Sequence, residues 1–465
     1  MKYKLIIISF LCALCAYGQR SERIVVSVDA PSHKGQKVFL ASYLDGKPYA
    51  VDSAFIDKEG KATLENGWNL LKGQYLLYIQ PDKQYDLLFS GTETNVSIKV
   101  NKDETRTRIS GSPDSELLWA YLIKRQEKDD RIEQLQNKIV SEANLSDAKR
   151  QTLVSEIKAL EKDLNALTAS ETEKHSGTWY ATYLKALDPV VPPMEASQTP
   201  ADFFAYREYM REHFFDNFDL TEPAYWRTNY MSTMLDTYMN SFVDDIPDAK
   251  ADAASLLVSK TMGNDYCFKR MLSRFINEAQ TSNLVGMENV WVRLYEDYIR
   301  DKEVDWIGDI ERKGLEKQYQ TVLYSRVGMV ARNLDLEGVA GEPISSNAID
   351  AKYTLLYFYD LECSRCKEDL PFLYDKIYSQ YKGQGLNVLA IHVGENHDGW
   401  KGFVETHDFK DWVNASDPGY KTEFWKYYDM DGIPAMFLLN KKKIIIAKHM
   451  DKDGLKMVLD ELFER

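Results

Sequence analysis

The chain has 465 residues, which predicts about three domains rather than one ordinary core. Apolar residues make up 44% and charged residues 28%, an ordinary composition for a soluble globular protein. The net charge of −14 argues against nucleic acid or an anionic membrane surface as the main partner, since both need a basic patch.

The N-terminus carries a compartment signal. Lys2 and Lys4 form a basic start, Leu5 to Ala16 an apolar run, and Ala16-Tyr17-Gly18 supplies the small residues a signal peptidase reads. Residues 1–18 are therefore expected to be a signal peptide cleaved after Gly18, placing the mature protein in the periplasm or cell envelope. The run is too short to span a bilayer permanently. Lipidation at Cys15 is the competing reading, and the bulky Leu14 before it fits poorly. No later segment resembles a transmembrane helix. Of the five cysteines, Cys12 and Cys15 leave with the signal, and the mature chain keeps Cys267, Cys363 and Cys366. So few cysteines make no disulfide scaffold. Cys267 reads as a small buried hydrophobe.

Residues 19–111 read as β. Ile24-Val25-Val26-Ser27-Val28 alternates, Lys37-Val38-Phe39-Leu40 and Tyr75-Leu76-Leu77-Tyr78-Ile79 are short apolar runs, and Asp57-Lys58-Glu59-Gly60 and Asn66-Gly67 are turns. This spacing predicts a small antiparallel β-sandwich. Asp52 and Ser53 stand beside a strand as structural polar residues. After Gly111-Ser112-Pro113 the period becomes helical, and residues 112–327 read as a mainly α domain. Leu153, Ile157, Leu160, Leu164 and Leu167 follow a heptad rhythm, and with Leu117 to Ile139 they predict a helical hairpin turning at Asn144-Leu145-Ser146-Asp147. Aromatics such as Phe203, Phe204, Phe214 and Phe215 read as core.

Residues 328–465 alternate strands and helices. Thr354 to Tyr359 and Leu386 to Val393 are buried-strand runs around an amphipathic helix, Lys367 to Tyr381. Ala435 to Leu439 and Lys443 to Ala447 form a strand pair, and Leu455 to Glu464 a closing helix. This is the element order of thioredoxin. The whole reads as an α/β thioredoxin-like C-terminal domain, preceded by a mainly α middle domain and a small β-sandwich N-terminal domain.

Cys363-Ser364-Arg365-Cys366 lies between a buried strand and an amphipathic helix. A zinc site would need a second ligand pair, and none follows at matching spacing. At a helix N-terminus, unpaired N–H groups and the helix dipole favour the thiolate of Cys363. Cys366, one turn in, would be buried and suited to resolve a mixed disulfide. Arg365 adds positive charge beside Cys363, and Glu362 opposes it. Gly432-Ile433-Pro434 precedes the Ala435 strand. In this architecture Pro434 is expected to follow a cis peptide and to present the Ile433 backbone to a substrate strand.

The segment Phe358-Tyr359-Asp360-Leu361-Glu362-Cys363-Ser364-Arg365-Cys366-Lys367-Glu368-Asp369-Leu370-Pro371 resembles the active-site segment of TlpA/ResA-type thioredoxin-like proteins. Pro371 matches the proline that kinks their active-site helix. Asp369 stands where the family has an acidic residue that tunes cysteine acidity. Ile391-His392-Val393-Gly394-Glu395 and Gly432-Ile433-Pro434 are similar to their second-strand exit and proline loop. The likeness covers about Gly328 to Arg465. Glu362 replaces the family's tryptophan or similar residue before the first cysteine. The remainder resembles, less specifically, envelope redoxins of Bacteroidetes, which join an N-terminal β domain and a helical segment to such a domain.

The resemblance implies a thiol–disulfide oxidoreductase with no bound organic cofactor and no metal, its catalytic residues Cys363, Cys366, Pro434 and Asp369. Its partners would be a protein disulfide and a dithiol electron donor. His392, His397, His407 and His449 read as surface or structural residues, and a copper carrier would need wider cysteine spacing. A peroxidase wants a threonine and a proline before a single reactive cysteine, which Tyr357 to Glu362 lacks. The alternative from another class is a binding or scaffold protein whose redox domain has lost catalysis.

Overall fold

The computed structural model describes residues 24–465 apart from 66–70, 102–106, 143–145, 194–198, 283, 408, 410, 431 and 465. The expected signal peptide, Cys12, Cys15 and the Asn66-Gly67 turn lie outside these residues. The described residues form two compact units. One runs to Asp244 and takes in Val258–Met271; the other comprises Asp245–Leu257 and Leu272–Arg465. The helical stretch is thereby divided between them.

The first unit opens with eight strands: β1 (Val25–Asp29), β2 (Lys37–Leu44), β3 (Lys47–Phe55), β4 (Lys61–Leu64), β5 (Gly73–Ile79), β6 (Lys83–Phe89), β7 (Asn95–Lys99) and β8 (Arg108–Ser110). They make two four-stranded sheets, ordered β4-β1-β7-β8 and β3-β2-β5-β6. Alternate residues turn inward, so that Val26, Val28 and Ile98 of one sheet meet Val38, Leu40, Leu77 and Leu87 of the other in one core. The sandwich is not wholly antiparallel, because β1 pairs with β7 in parallel. All of β2 to β6 separates these two strands, a connection long enough for a parallel return that no local turn signal reveals. Asp52 accepts the N–H of Ser53 at 2.7 Å.

Helices α1 (Pro113–Ser141) and α2 (Asp147–Lys174) follow. Lys124–Glu171, Lys128–Asp163 and Arg131–Glu156 ion pairs show them running antiparallel. The heptad residues Ile157 and Leu164 are the ones turned inward, with Leu118, Tyr121 and Leu135 buried on α1. Helices α3 (Trp179–Leu187), α4 (Pro200–His213) and α5 (Met231–Ser241) complete the run. Trp179 packs edge to face on Tyr183 and Tyr183 on Tyr230, and Phe215 is buried, so these aromatics are core. Phe203 and Phe204 of α4, expected in the core, are instead exposed on the solvent side of the helix. Cys267 is fully buried, and burial pushes its thiol up to about 12.

Helices α6 (Pro247–Ser259) and α7 (Asp265–Thr281) cross the division, and α8 (Glu288–Tyr298) and α9 (Asp309–Val322) belong to the second unit. Its sheet holds β9 (Asp335–Gly338), β10 (Pro343–Ser345), β11 (Tyr353–Tyr359), β12 (Leu386–His392), β13 (Val413–Ser416), β14 (Ala435–Asn440) and β15 (Ile445–Lys448). The order is β10-β9-β13-β12-β11-β14-β15, with β11 parallel to β12 and antiparallel to β14. A central strand covered on both faces reads as a continuous apolar run, as β11 does. Leu355, Tyr357 and Tyr359 pack on one face with Leu370, Trp400 and Leu455. Leu356 and Phe358 pack on the other with Phe424 and Tyr428.

Helix α10 (Ser364–Phe372) is followed by a π-helical turn, Leu373–Tyr378, and a last turn α11 (Ser379–Tyr381). The single helix expected over Lys367–Tyr381 is therefore interrupted. Pro371 has no N–H and its ring crowds the preceding turn, and the hydrogen-bond register widens just after it. Helices α12 (His397–His407) and α13 (Lys452–Glu464) complete the unit. Among the described residues no helix is long and apolar enough to cross a membrane.

Candidate redox site

The site forms where β11 ends. After Tyr359 the chain turns on Asp360, whose carboxylate accepts the N–H of Glu362 at 3.0 Å and whose carbonyl accepts that of Cys363 at 3.2 Å. The turn sets Cys363 at the N-cap of α10, with the Cys366 N–H donating to its Sγ at 3.2 Å. An N-cap side chain normally offers oxygen to this orphan donor. Here the Cys363 sulfur takes that place, at the positive end of the helix dipole. Cys363 is half-buried and Cys366 fully buried. Burial foremost, then the neighbouring Cys363 thiol, pushes Cys366 up to about 12.

Strand β14 brings the second element. The Ile433–Pro434 peptide is cis, and the carbonyl of Ile433 accepts from the Cys363 thiol at 3.5 Å. Ile433 is exposed and Pro434 half-buried.

Asp369 is 2% exposed, yet its carboxyl group faces two basic side chains. Lys452 of α13 donates to its Oδ1 at 3.0 Å, and Arg365 Nε lies 3.6 Å from its Oδ2. The Arg365 guanidinium is thus turned along the helix toward Asp369, which offsets the charge it was expected to lend Cys363. Lys452 was missed in the sequence because it stands 83 positions from its partner. Tyr357 was missed as well, since it reads as one more apolar strand residue. Its hydroxyl is buried with no hydrogen-bond partner. Burial, and then the charges of Cys366, Asp369 and Cys363, push its ionisation far above the ordinary range. The only available signal was alternation, which puts Tyr357 on the same face of β11 as Leu355 and Tyr359.

The histidines divide. His392 is fully buried, stacks on Trp400 at 5.9 Å, and places Nε2 3.9 Å from Asp360 Oδ1. Burial pulls it down to about 4. His407 and His449 are exposed and make structural hydrogen bonds. No group of three or more His, Cys, Asp or Glu able to hold a metal ion occurs among the described residues. A groove of about 490 Å³ opens beside the site, between Leu361, Glu362 and Lys367 and the Gly402, Phe403 and Thr406 side of α12.

The sequence from 350 to 445 matches the model of a thioredoxin-like family. Residues 350–445 are a thioredoxin-like domain. Residues 23–118, the β-rich part, match a domain of unknown function, DUF4369. The thioredoxin-like domain is similar to the thiol-disulfide oxidoreductase ResA of Bacillus cereus, 27% identical over 26% of this chain and 69% of the relative. ResA of Geobacillus kaustophilus is 26% identical over 29% of this chain and 78% of its own length. Among solved structures, a thioredoxin-like protein from Bacteroides caccae is 21% identical, covering 58% of this chain and 96% of its own, with a TM-score of 0.43. A domain of a possible thiol-disulfide isomerase from Cytophaga hutchinsonii is 29% identical, covering 30% and 93%, with a TM-score of 0.28.

Proposed function

We propose that this protein is an exported thiol–disulfide oxidoreductase that reduces or exchanges disulfides of other envelope proteins through Cys363 and Cys366. The observation that carries the reading is the N-cap position of Cys363, half-exposed and bonded to the Cys366 N–H, with Cys366 buried one turn below.

Cys363, as thiolate, attacks one sulfur of a partner disulfide. That S–S bond breaks, a Cys363–partner disulfide forms, and the other partner sulfur leaves and takes a proton. Cys366 then gives up its proton and attacks Cys363 Sγ, releasing the second partner thiol and leaving a Cys363–Cys366 disulfide. Two electrons pass to the partner, and a dithiol donor restores them. Asp369, buried one turn beyond Cys366, tunes the acidity of the pair, and Pro434 with Ile433 forms the opposing wall against which the partner strand lies. Similarity to ResA supports this chemistry, and the N-terminal pattern ending at Gly18 supports export.

Reduction of insulin disulfides by wild type and Cys363→Ser tests the activity. Turnover by wild type and none by Cys363→Ser is expected, whereas a folded, reduced wild type with no turnover favours the scaffold reading. Mass spectrometry of the envelope-extracted protein tests export: a mature N-terminus at Gln19 is expected, and an intact leader overturns it.

A further inference from the structure

Resolution of a mixed disulfide needs the Cys366 proton to leave as its sulfur attacks, and burial holds that proton tightly. Two buried polar atoms without hydrogen-bond partners belong to this neighbourhood: the hydroxyl of Tyr357 and Oδ2 of Asp369. One is a donor and the other an acceptor. Tyr357 is fully buried on the β11 face that packs with Cys366 and Leu370, and Asp369 is one helical turn beyond Cys366. Of the other groups on this face, His392 also keeps both ring nitrogens without hydrogen bonds, Nε2 standing 3.9 Å from Asp360 Oδ1, while three more groups are bonded. Cys363 accepts the Cys366 N–H, Asp360 caps the turn, and the Tyr359 hydroxyl accepts from Trp400 Nε1 at 2.8 Å. Lys452 holds Oδ1 of Asp369, and Arg365 stands 3.6 Å from Oδ2.

We infer that Tyr357 is a positioning residue for the resolving step, its hydroxyl hydrogen-bonding the Cys366 sulfur while Asp369 Oδ2 receives the Cys366 proton. This rests on the dithiol function proposed above. A phenylalanine would fill the same volume without burying an unsatisfied hydroxyl, so packing alone does not explain tyrosine here. Both orphans find partners only while the proton is in transit, when the thiol donates to Oδ2 and the phenol donates to the sulfur. Hydrogen bonds of this kind are often long in the resting state and tighten when the reaction complex forms. The step balances. The Cys366 S–H bond breaks, its proton goes to Asp369, and its electron pair makes the Cys366–Cys363 bond. The Cys363–partner bond breaks, and the partner thiolate leaves.

The test is stopped-flow exchange with a cystine-containing peptide, separating formation of the mixed disulfide from its resolution across pH 5 to 9. Tyr357→Phe is expected to slow resolution about tenfold and to move its pH midpoint upward by about one unit, without lowering the melting temperature. Asp369→Asn is expected to slow the same step, and the double variant to be little slower than either single one. Resolution by Tyr357→Phe within twofold of wild type, with an unmoved midpoint, overturns the inference. So does an equal slowing at every pH with a lowered melting temperature, which marks a packing role. Cys366→Ser separates the two proposals: if it traps no mixed disulfide the dithiol function itself falls, and if it traps one while Tyr357→Phe behaves as wild type only the role of Tyr357 falls.

Discussion

The Sγ of Cys363 and the carbonyl oxygen of Ile433 stand 3.5 Å apart, although 70 positions separate them in the chain. One comes from the helix following β11 and the other from the loop entering β14. Because β11 and β14 are paired along Thr354–Leu439 to Phe358–Ala435, the sheet register itself sets this meeting.

Selective alkylation separates the three described cysteines. Cys363 is partly open to solvent, while Cys267 and Cys366 are fully buried and their thiols are pushed up to about 12. Thiolate is the reactive form, so iodoacetamide at neutral pH should modify Cys363 at least about 100-fold faster than the other two. Peptide mapping of the labelled, folded protein reads this directly. Equal labelling of Cys366 would remove the assignment of attacking and resolving thiols.

Pro434→Ala should lower turnover on a protein disulfide about tenfold while the Cys363–Cys366 disulfide still forms. Proline fixes its own φ and leaves no N–H to compete, so it holds the Ile433 carbonyl at the thiol. Steady-state turnover and a count of free thiols after oxidation check both halves. Unchanged turnover would mean that the loop does not present the partner strand.

His392 links stability to acid. Its pKa is lowered from 6.5 to about 4 by burial, so the unfolded chain takes up a proton first as pH falls. The native state therefore keeps its full stability above 6.5 and loses it progressively between 6.5 and 4. His392→Phe retains a ring against Trp400 and should be more stable than wild type at pH 5 by roughly 2 kcal/mol, with the gap shrinking at pH 7.5. Urea unfolding at the two pH values gives the comparison, and an equal gap at both would exclude the linkage.

Asp429 behaves in the opposite sense. Burial raises its carboxyl, but the hydrogen bond with His449 and the ammonium of Lys448 outweigh that and hold it down at about 2, from 3.8. Lys448 Nζ lies 3.0 Å from it and is itself buried. The stabilisation is complete above 3.8 and disappears as pH falls through about 2. Asp429→Asn should cost about 2 kcal/mol at neutral pH, read by urea unfolding, because Lys448 keeps only the more distant Glu288 at 3.6 Å. A variant as stable as wild type would show that the cluster is idle.

Much of the site was legible because it is local. Cys363 and Cys366 are three apart on one helix, Asp369 is another turn along, and Pro371 marks the break that the π-turn realises. The alternation in β1 and the short apolar runs in β2 and β5 announced the sandwich for the same reason, since such local patterns need no distant information. What stayed hidden depends on register. The parallel pairing of β1 with β7, the short strands β9, β10 and β13, and the Lys452 partner of Asp369 all join segments far apart in the chain. Tyr357 could not be told from its neighbours in Tyr353–Tyr359, because six of those seven residues are buried and a hydroxyl's lack of a partner is a property of its surroundings.

The amino-acid order by itself determined the types of the longer elements, the C-x-x-C at a helix start and the proline before β14, because each is set by side chains within a few residues of one another. Tertiary structure alone decided that Cys363 faces Ile433, that Arg365 turns to Asp369, and that His392 is buried neutral. Those outcomes depend on which strands pair and which helices cover them, and burial and charge pairing take their values only once distant segments are packed.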